Sequence, residues 1–581
     1  MKILNIAKLF SLSVVLQVMT TGCDSWLEIE PKDRFSDTTV WGSEANADMF
    51  LNDVYNKFPH LNNETQHLDQ YSDNSYVGAE WMNARTAIYT GALSPTSWIP
   101  GPWDMWKWGR EGNSDAQGQY ERIRACNLFI TKVEESDFSE GYKTDRLAEA
   151  RFLRVWFYHY LWLAYGGVPL ITDVLDNNVS EDIFYPRATA AETFKFLISE
   201  LDDIIPDLPL TREESDRGRA TRGVAMTLKG WLQLFHASTL RNPDNDVQRW
   251  RDAAKTLKSV IDLDLYHLQP TISDLWTAET NGNPEVIYEI SMSKQNGGRR
   301  EGLYGPVFVG GTQVSWGNMQ PTQELVDDYC MANGLPITDP ASGYDPQHPY
   351  DNREKRFYQS IIYDGALWQG EEIITRVGVG SPNEIDTSSS SDVSNTGYYT
   401  RKTLDESVNQ ADNLEMSNGL ANYIFFRYAD VLLMYAEAML ESVDKEEAVK
   451  YLDVVRTRGD NMPSIAATYP QGVTVNQLRD ILRRDRRIEL AFEDKRFWDI
   501  LRWKICDGPD GVMNTPMHGM KIEDTDGDGV WEYNYHEVCQ RTFLPRMYYQ
   551  PIPQYVLDKN PVMRQQNGGE DGWVNGQNPG Y

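Results

Sequence analysis

Two stretches of the chain carry residue types whose spacing suits the binding of a flat, hydroxyl-rich ligand. Trp81, Trp98, Trp103, Trp106 and Trp108 fall close together on a segment rich in Gly and Pro, with Asp69, Asp73, Asn74 and Asn83 beside them. A sugar ring has a face of C–H bonds that loses water favourably against an indole, while its rim of hydroxyls needs partners such as Asn, Asp and Arg. A tryptophan platform ringed by polar side chains is therefore a carbohydrate-binding arrangement. Trp276, Trp316 and Trp368, with Tyr304, lie on a second loop-rich stretch and would close the site from the other side. The candidate contacts are Asp73, Asn74, Trp81, Trp98, Trp103, Trp316 and Trp368. The competing role for each is core packing, and that role is assigned to Trp156, Trp162, Trp231, Trp498 and Trp503, which stand on apolar helix faces.

A third stretch has metal-ligand spacing. Asp524-Thr525-Asp526-Gly527-Asp528-Gly529 has the D-x-D-x-D-G opening of a calcium loop, in which alternate carboxylates converge on one hard cation. Position twelve is Tyr535 rather than a bidentate Glu, with Glu532 and Glu537 nearby as substitutes. A structural calcium at Asp524, Asp526 and Asp528 and a solvated acidic turn are both open. The basic run Arg483, Arg484, Arg486 and Arg487 suggests a phosphate site. Asp485, Glu489, Glu493 and Asp494 are interleaved with it, so internal ion pairs explain it better.

Enzyme signatures do not appear. There is no H-E-x-x-H, no G-x-S-x-G and no P-loop lysine, and the eight histidines form no ligand-like spacing. A glycoside hydrolase needs two carboxylates across a cleft, but among 86 acidic residues such pairs exist by number alone and decide nothing. The formal charge of −31 argues against nucleic acid and anionic membrane surfaces, which attract clustered positive charge. Of the cysteines after Cys23, Cys126 and Cys330 suggest no motif. Cys506 and Cys539 would either form a disulfide or stand as separate thiols.

The elements that must position these residues are mostly helices. Apolar residues recur at helical spacing over Leu147–Tyr165, which stops at Gly166-Gly167, and over Thr189–Ile205, Arg219–Thr239 and Val247–Leu263. Arg427–Leu440 and Glu446–Arg458 form a further antiparallel pair with alanines at the contact face, as tetratricopeptide-type units stack. Val286–Ile290 and Glu372–Val377 are β-prone and would form a small sheet. The fold class is mostly α: a tetratricopeptide-like helix-pair scaffold with a large loop-rich insertion containing little β.

The first residues differ from the rest. Lys2 and Lys8, the apolar run Leu9–Met19 and small residues before Cys23 read as an export signal over 1–22. Thr20-Thr21-Gly22-Cys23 is close to a lipobox, with Thr20 where Leu is expected, so Cys23 is the expected lipidation site and 23–37 a tether. Plain secretion is the alternative. Residues 38–581 then form one domain. Its helical scaffold covers 38–60, 118–265 and 423–504, its ligand-facing loops 61–117 and 266–422, and an irregular C-terminal segment 505–581.

Several segments resemble the SusD/RagB family of outer-membrane nutrient-binding lipoproteins. They are LEIEPKDRFSDTTVW after Cys23, YERIRACNLFI, AEARFLRVWFYHYLWLAYGGVPLIT, GRATRGVAMTLKGWLQLF, FFRYADVLLMYAEAML, LRRDRRIELAFEDKRFWDILRW and YYQPIPQYVLDKNP, in the family's order and nearly end to end. The resemblance implies a lipid-anchored protein on the outer leaflet, facing the cell exterior. It would bind oligosaccharide, or peptide in some relatives, and pass it without chemistry to a SusC-like TonB-dependent transporter. It also implies that the early loops and the middle insertion build the ligand face.

Overall fold

The computed structural model describes residues 40–57, 67–79, 82, 84–99, 118–175, 183–277, 282–293, 297–388, 393–408, 419–442 and 444–581. The signal, Cys23 and the tether lie outside these residues. The scaffold begins with α1 (Glu44–Asn56), α2 (Gln119–Glu134), α3 (Glu140–Tyr165), α4 (Ala190–Ile204), α5 (Arg222–Ala237) and α6 (Val247–Ile261). Two short helices, α7 (Gln323–Asp328) and α8 (Lys355–Ser360), belong to the insertion. The scaffold resumes with α9 (Tyr428–Glu441), α10 (Lys445–Arg456), α11 (Val475–Glu489) and α12 (Arg496–Arg502). Among the described residues no helix is long and apolar enough to cross a membrane.

Helix ends follow local chemistry. Ser139, Thr189, Thr221, Asp246, Asp444 and Thr474 accept a backbone N–H in the first turn of their helices, which satisfies donors that have no partner in the helix. Gly166, with φ 77°, stops α3. α3 starts earlier than the expected Leu147. Its first two turns are polar, with no apolar period to read, and are tied down instead by Arg146, which donates to Asp48 at 2.8 Å and Glu149 at 2.6 Å.

Successive helices pack pairwise: α2 on α3, α3 on α4, α5 on α6 and α9 on α10. Gly230 lets α5 approach α6 closely, since a Cβ there would meet a Leu257 methyl at 2.6 Å. α6 also packs directly on α9, although the insertion separates them in sequence. The stack of helices is thus continuous, and the insertion leaves from one helix pair and returns to the next.

The place of departure and return is closed by two strands. β1 (Ser75–Tyr76) lies in the early loop, and β2 is Val286–Ile290. Within the insertion come β3 (Phe308–Val309), β4 (Thr312–Gln313), β5 (Gln320–Pro321), β6 (Ile361–Ile362), β7 (Ala366–Trp368), β8 (Glu371–Ile373) and β9 (Tyr399–Thr400). β10 (Tyr423–Arg427) runs straight into α9, and β11 (Met517–Glu523) and β12 (Glu532–Cys539) form a long hairpin. β2 pairs antiparallel with β10, Tyr423 opposite Ile290 and Arg427 opposite Val286. The two β-prone runs do not share a sheet, because β8 pairs with β7. The C-terminal segment, expected to be irregular, contains the β11–β12 hairpin.

The scaffold and the insertion have separate apolar cores. Trp156, Trp162, Trp231 and Trp498 are buried in the first, as expected. The second is built from short elements around Tyr304, Tyr329, Phe357, Trp368 and Tyr399. Cys506 and Cys539 are separate thiols rather than a disulfide. Cys506 is buried after α12, its N–H given to Tyr548 Oη at 3.0 Å, whereas Cys539 ends β12 opposite Met517.

Candidate ligand-binding face

The early loop and the insertion meet in the β1–β5 ribbon, where Ser75 lies opposite Pro321 and Tyr76 opposite Gln320. Antiparallel pairing brings the chain leaving β1, Val77–Ala79, to the same end of the ribbon as the chain entering β5 from Trp316. Trp316 packs there against the insertion core and keeps part of its surface in solvent, with its N–H donated to Gly302 O at 2.9 Å. The β3–β4 hairpin before it turns on Gly310 and Gly311, with φ 56° and 80°, the left-handed pair that a two-residue hairpin needs.

Arg85 stands at the same end. Its guanidinium is 5.5 Å from the Tyr76 ring centroid, and Nη1 donates to Gly78 O at 2.5 Å. Asn318, two residues past Trp316, is held by Gln70 Nε2, which donates to its carbonyl at 2.6 Å. A half-exposed indole and a half-exposed guanidinium at one end of a ribbon supply a face on which an apolar ligand surface can stack and a donor for hydroxyls. Arg85 was missed in the sequence, where only its place among the loop tryptophans pointed to it.

Asp73 and Asn74 are not on this surface, contrary to expectation. Asp73 is 5% exposed and receives both prongs of Arg496, each at 2.7 Å. Burial disfavours its charge, yet Arg487 and Arg496 outweigh burial and hold the carboxyl well below the usual range. Asn74 is fully buried, accepts from Arg487 Nε at 2.8 Å and donates to Asp69 Oδ1 at 2.7 Å. Both residues root the early loop on α11 and α12. Their partners lie more than 400 positions away, a distance no local pattern reveals.

Trp368 is also corrected. It is 0% exposed at the centre of the insertion core, with Arg401 5.6 Å from its ring centroid, and offers no face to a ligand. Trp276 and Tyr304 are likewise buried. Short strands and turns bury little area each, so large aromatics supply most of this second core.

Trp98 is half-buried and its ring lies tilted on Tyr555 at 5.7 Å, while Pro95 O accepts from Gln554 N at 2.9 Å. Its loop therefore rests on the C-terminal segment, and among the described residues no ring contact joins it to Trp316. Nothing in the sequence marked Tyr555 as its neighbour. Trp81, Trp103, Trp106, Trp108 and Asn83 lie outside the described residues.

An unexpected cluster lies below the face. His67 Nδ1 is 3.0 Å from Asp494 Oδ1 and 3.4 Å from Asp69 Oδ2, all three buried. Phe492 N and Asp494 N donate to the two oxygens of Asp69, each at 3.2 Å, and Leu68 N and Tyr423 Oη donate to those of Asp494. Burial pushes the Asp494 carboxyl above its ordinary value. With a donor on every carboxylate oxygen, the cluster acts as a joint between the early loop and the end of α11.

At the tip of the β11–β12 hairpin, Asp524, Asp526 and Asp528 have carboxylate oxygens within 4.8 Å of one another. Gly527, Asp528 and Gly529 donate their N–H groups to Asp524 at 2.8, 3.1 and 3.0 Å, and Gly529 has φ 85° at the sixth position of the loop. Glu532 accepts from Thr525 Oγ1 at 2.6 Å, and Tyr535 bonds Asp327 instead of turning inward. The donor set suits a hard cation but comprises three carboxylates rather than the full loop.

The arginines of α11 are structural. Arg486 pairs with Asp430 at 2.6 Å and Asp499 at 2.8 Å, and Arg487 with Asp328 at 2.6 Å. The expected ion pairs exist, but their partners come from α9, α12 and α7 rather than from the interleaved acids. Asp485 and Glu489 instead receive Arg356, Arg456, Arg427 and Arg458.

Comparison with known proteins follows the same layout. A family profile described as "SusD family" matches residues 284–573, and one described as "Starch-binding associating with outer membrane" matches residues 25–229. A SusD-like protein of Formosa agariphila is 23% identical over 540 residues, covering 86% of this chain and 92% of its own. A crystal structure of a SusD-like protein from Bacteroides fragilis has a TM-score of 0.74 at 26% identity, covering 94% of this chain and 98% of the other. Another from that organism, described as a SusD-like carbohydrate binding protein, has a TM-score of 0.73 at 25% identity, covering 90% and 99%. A helical scaffold and insertion of this layout, matched by one profile across the early loop and first helices and by another across the insertion and later helices, mean that the chain belongs to the SusD/RagB family.

Proposed function

We propose that the protein captures an extracellular glycan and hands it on uncleaved. The observation that carries this reading is Trp316, an indole half-open to solvent at the end of the β1–β5 ribbon where the early loop, with Arg85 on Tyr76, meets the insertion. The C–H face of a sugar stacks on the indole, and its hydroxyls accept from the guanidinium or donate to nearby carbonyls. The reading also assigns ligand contact to Trp81 and Trp103, which lie outside the described residues, whereas Trp98 packs on Tyr555. A B. fragilis relative described as a carbohydrate binding protein supports this reading. Mechanistically the protein is a binder and not an enzyme: contact and hydrogen bonding do the work, and no bond is broken.

The reading includes the route of delivery. Cys23 carries a lipid after removal of 1–22, residues 24–37 hold the body off the outer leaflet, and a SusC-like TonB-dependent transporter receives the cargo. The profile described as "Starch-binding associating with outer membrane" supports the location. The Asp524 loop holds a structural calcium that stiffens the hairpin tip. Titration of neutral and anionic oligosaccharides into wild type and Trp316→Ala tests the binding claim. A ligand whose affinity falls about tenfold or more in the variant fits loss of one stacked ring. Equal affinity would remove Trp316 from the site, and binding of peptides alone would redirect the reading to peptide cargo.

A further inference from the structure

A cleft of 850 Å³ opens between the segment leading into α4, Tyr185–Glu192, and the C-terminal stretch 566–573. Ligand clefts typically enclose about 300–1,000 Å³, so this one is large enough for a saccharide. Among the described residues none of its lining comes from the early loop or the insertion, which separates it from the face around Trp316.

Its two walls are joined by a buried guanidinium. Arg187, 3% exposed, donates to the carbonyls of Tyr165, Gly167 and Gly576 at 2.8 Å each and to Asn578 Oδ1 at 2.5 Å. The Trp573 ring lies 4.7 Å from it. Gln566 Oε1 accepts from Arg187 N at 2.7 Å, and Asp571 Oδ2 accepts from Ala190 N at 2.8 Å and Trp573 Nε1 at 3.2 Å. Two of these bonds, from Arg187 N to Gln566 and from Ala190 N to Asp571, run from one wall to the other, as does the contact of Arg187 with Trp573. The cleft is therefore pre-formed, and a ligand entering it has little chain to order.

What the bonds leave over defines the ligand. The guanidinium of Arg187 is committed to four protein acceptors, so among the described lining residues no cation is free to meet an anion. On the rim, Glu570 is exposed and makes no hydrogen bond among the described residues, and Glu192 keeps Oε1 after Oε2 accepts from Thr189. Leu170 and Pro186 add apolar surface. Carboxylate acceptors, apolar walls and no available cation select a ligand that brings hydroxyl donors and no negative charge.

We infer that this cleft is a second glycan contact, which takes a neutral, polyhydroxylated segment of the polysaccharide held at Trp316. The inference rests on the reading of the protein as a glycan binder. Two contacts on one polymer multiply retention without strengthening either, whereas a short oligosaccharide reaches only one at a time.

The test uses the mature chain in affinity gels containing starch, laminarin or xylan, with alginate as the anionic control. Two variants act at the cleft: Ala191→Trp, which fills it from an exposed position, and Glu570→Ala, which removes a rim acceptor. On the neutral gel that retains wild type, Ala191→Trp is expected to weaken retention about tenfold. Combined with Trp316→Ala it is expected to abolish retention. The polysaccharide is also expected to slow amide exchange across 566–573. Unchanged retention in both cleft variants, with unchanged exchange there, overturns the second contact while leaving the glycan reading intact. If Ala191→Trp fails to fold, Glu570→Ala and amide exchange decide. Retention on alginate that the cleft variants remove would contradict the neutral ligand. Wild type retained on no gel would overturn both readings.

Discussion

Arg427 and Glu493 face each other as a buried two-pronged pair, Nε donating to Oε2 and Nη2 to Oε1, both at 2.7 Å. Arg427 ends β10 and opens α9, and its Nη1 also reaches Glu285 beside β2 at 2.6 Å and Glu489 of α11 at 2.8 Å. One guanidinium thus ties the base of the insertion to two scaffold helices. Glu489 takes Arg458 and Arg356 as well, and Glu493 takes Lys402.

Removal of Arg427 leaves three buried carboxylates short of a cation. Breaking a buried pair from one side costs about 3–5 kcal/mol, far more than a surface pair. Arg427→Ala is expected to lose stability on that scale in denaturant unfolding. A loss below about 1 kcal/mol would show that the network carries no weight.

Acid should loosen the same joint. Burial disfavours the charges of Glu489, Glu493 and Asp485, but the surrounding arginines outweigh it and hold all three below the usual carboxylate range. The folded state therefore binds fewer protons than the unfolded one near pH 4. The contribution is complete above the ordinary carboxylate pKa of about 4 and is lost as pH falls below it. Thermal melts taken downward from pH 6 should show the melting temperature dropping steeply below that point. A flat profile to pH 3 would contradict the assignment.

Glu301 should act in the opposite sense. Burial pushes its carboxyl up to about 6, with one oxygen accepting from Asp405 N at 3.1 Å. Its folded pKa is raised, so stability is lost as pH climbs from the ordinary glutamate value to about 6 and stays lower above it. Glu301→Gln is expected to stabilise at pH 8, by on the order of 2 kcal/mol, and to change little at pH 4. An equal effect at both pH values would rule out titration as the cause.

The hairpin tip gives a metal-dependent prediction. Calcium should raise the melting temperature of wild type over an EDTA-treated sample, and Asp526→Asn should abolish the difference. Identical melts with calcium and with EDTA would leave the loop as a solvated acidic turn.

Much of the scaffold is legible in the sequence because its cause is local. Val247–Ile261 and Tyr428–Glu441 show apolar residues at helical spacing, and Val286–Ile290 is a strand as its β-branched residues suggest. The pairing of that strand with Tyr423–Arg427 is not legible, since it joins residues on either side of the insertion. The candidate face was read less well, for a related reason. Gly- and Pro-rich composition marks 266–422 as loop, but that stretch has a core of its own, and Trp368 fills it. Asp73 and Asn74 look like surface polar groups until Arg487 and Arg496 are brought to them by the fold. Trp316 was read from its type and stretch and is half-open to solvent, where the central claim needs it.

The most direct test of that claim is retention of the mature protein from Asp24 onward on neutral and anionic polysaccharide gels, with the chain length of each polysaccharide followed during incubation. The account predicts retention by a neutral polysaccharide, weakened in Trp316→Ala, with no shortening of the polymer. Progressive shortening would show an enzyme, and equal retention of the variant would show that the glycan is held elsewhere.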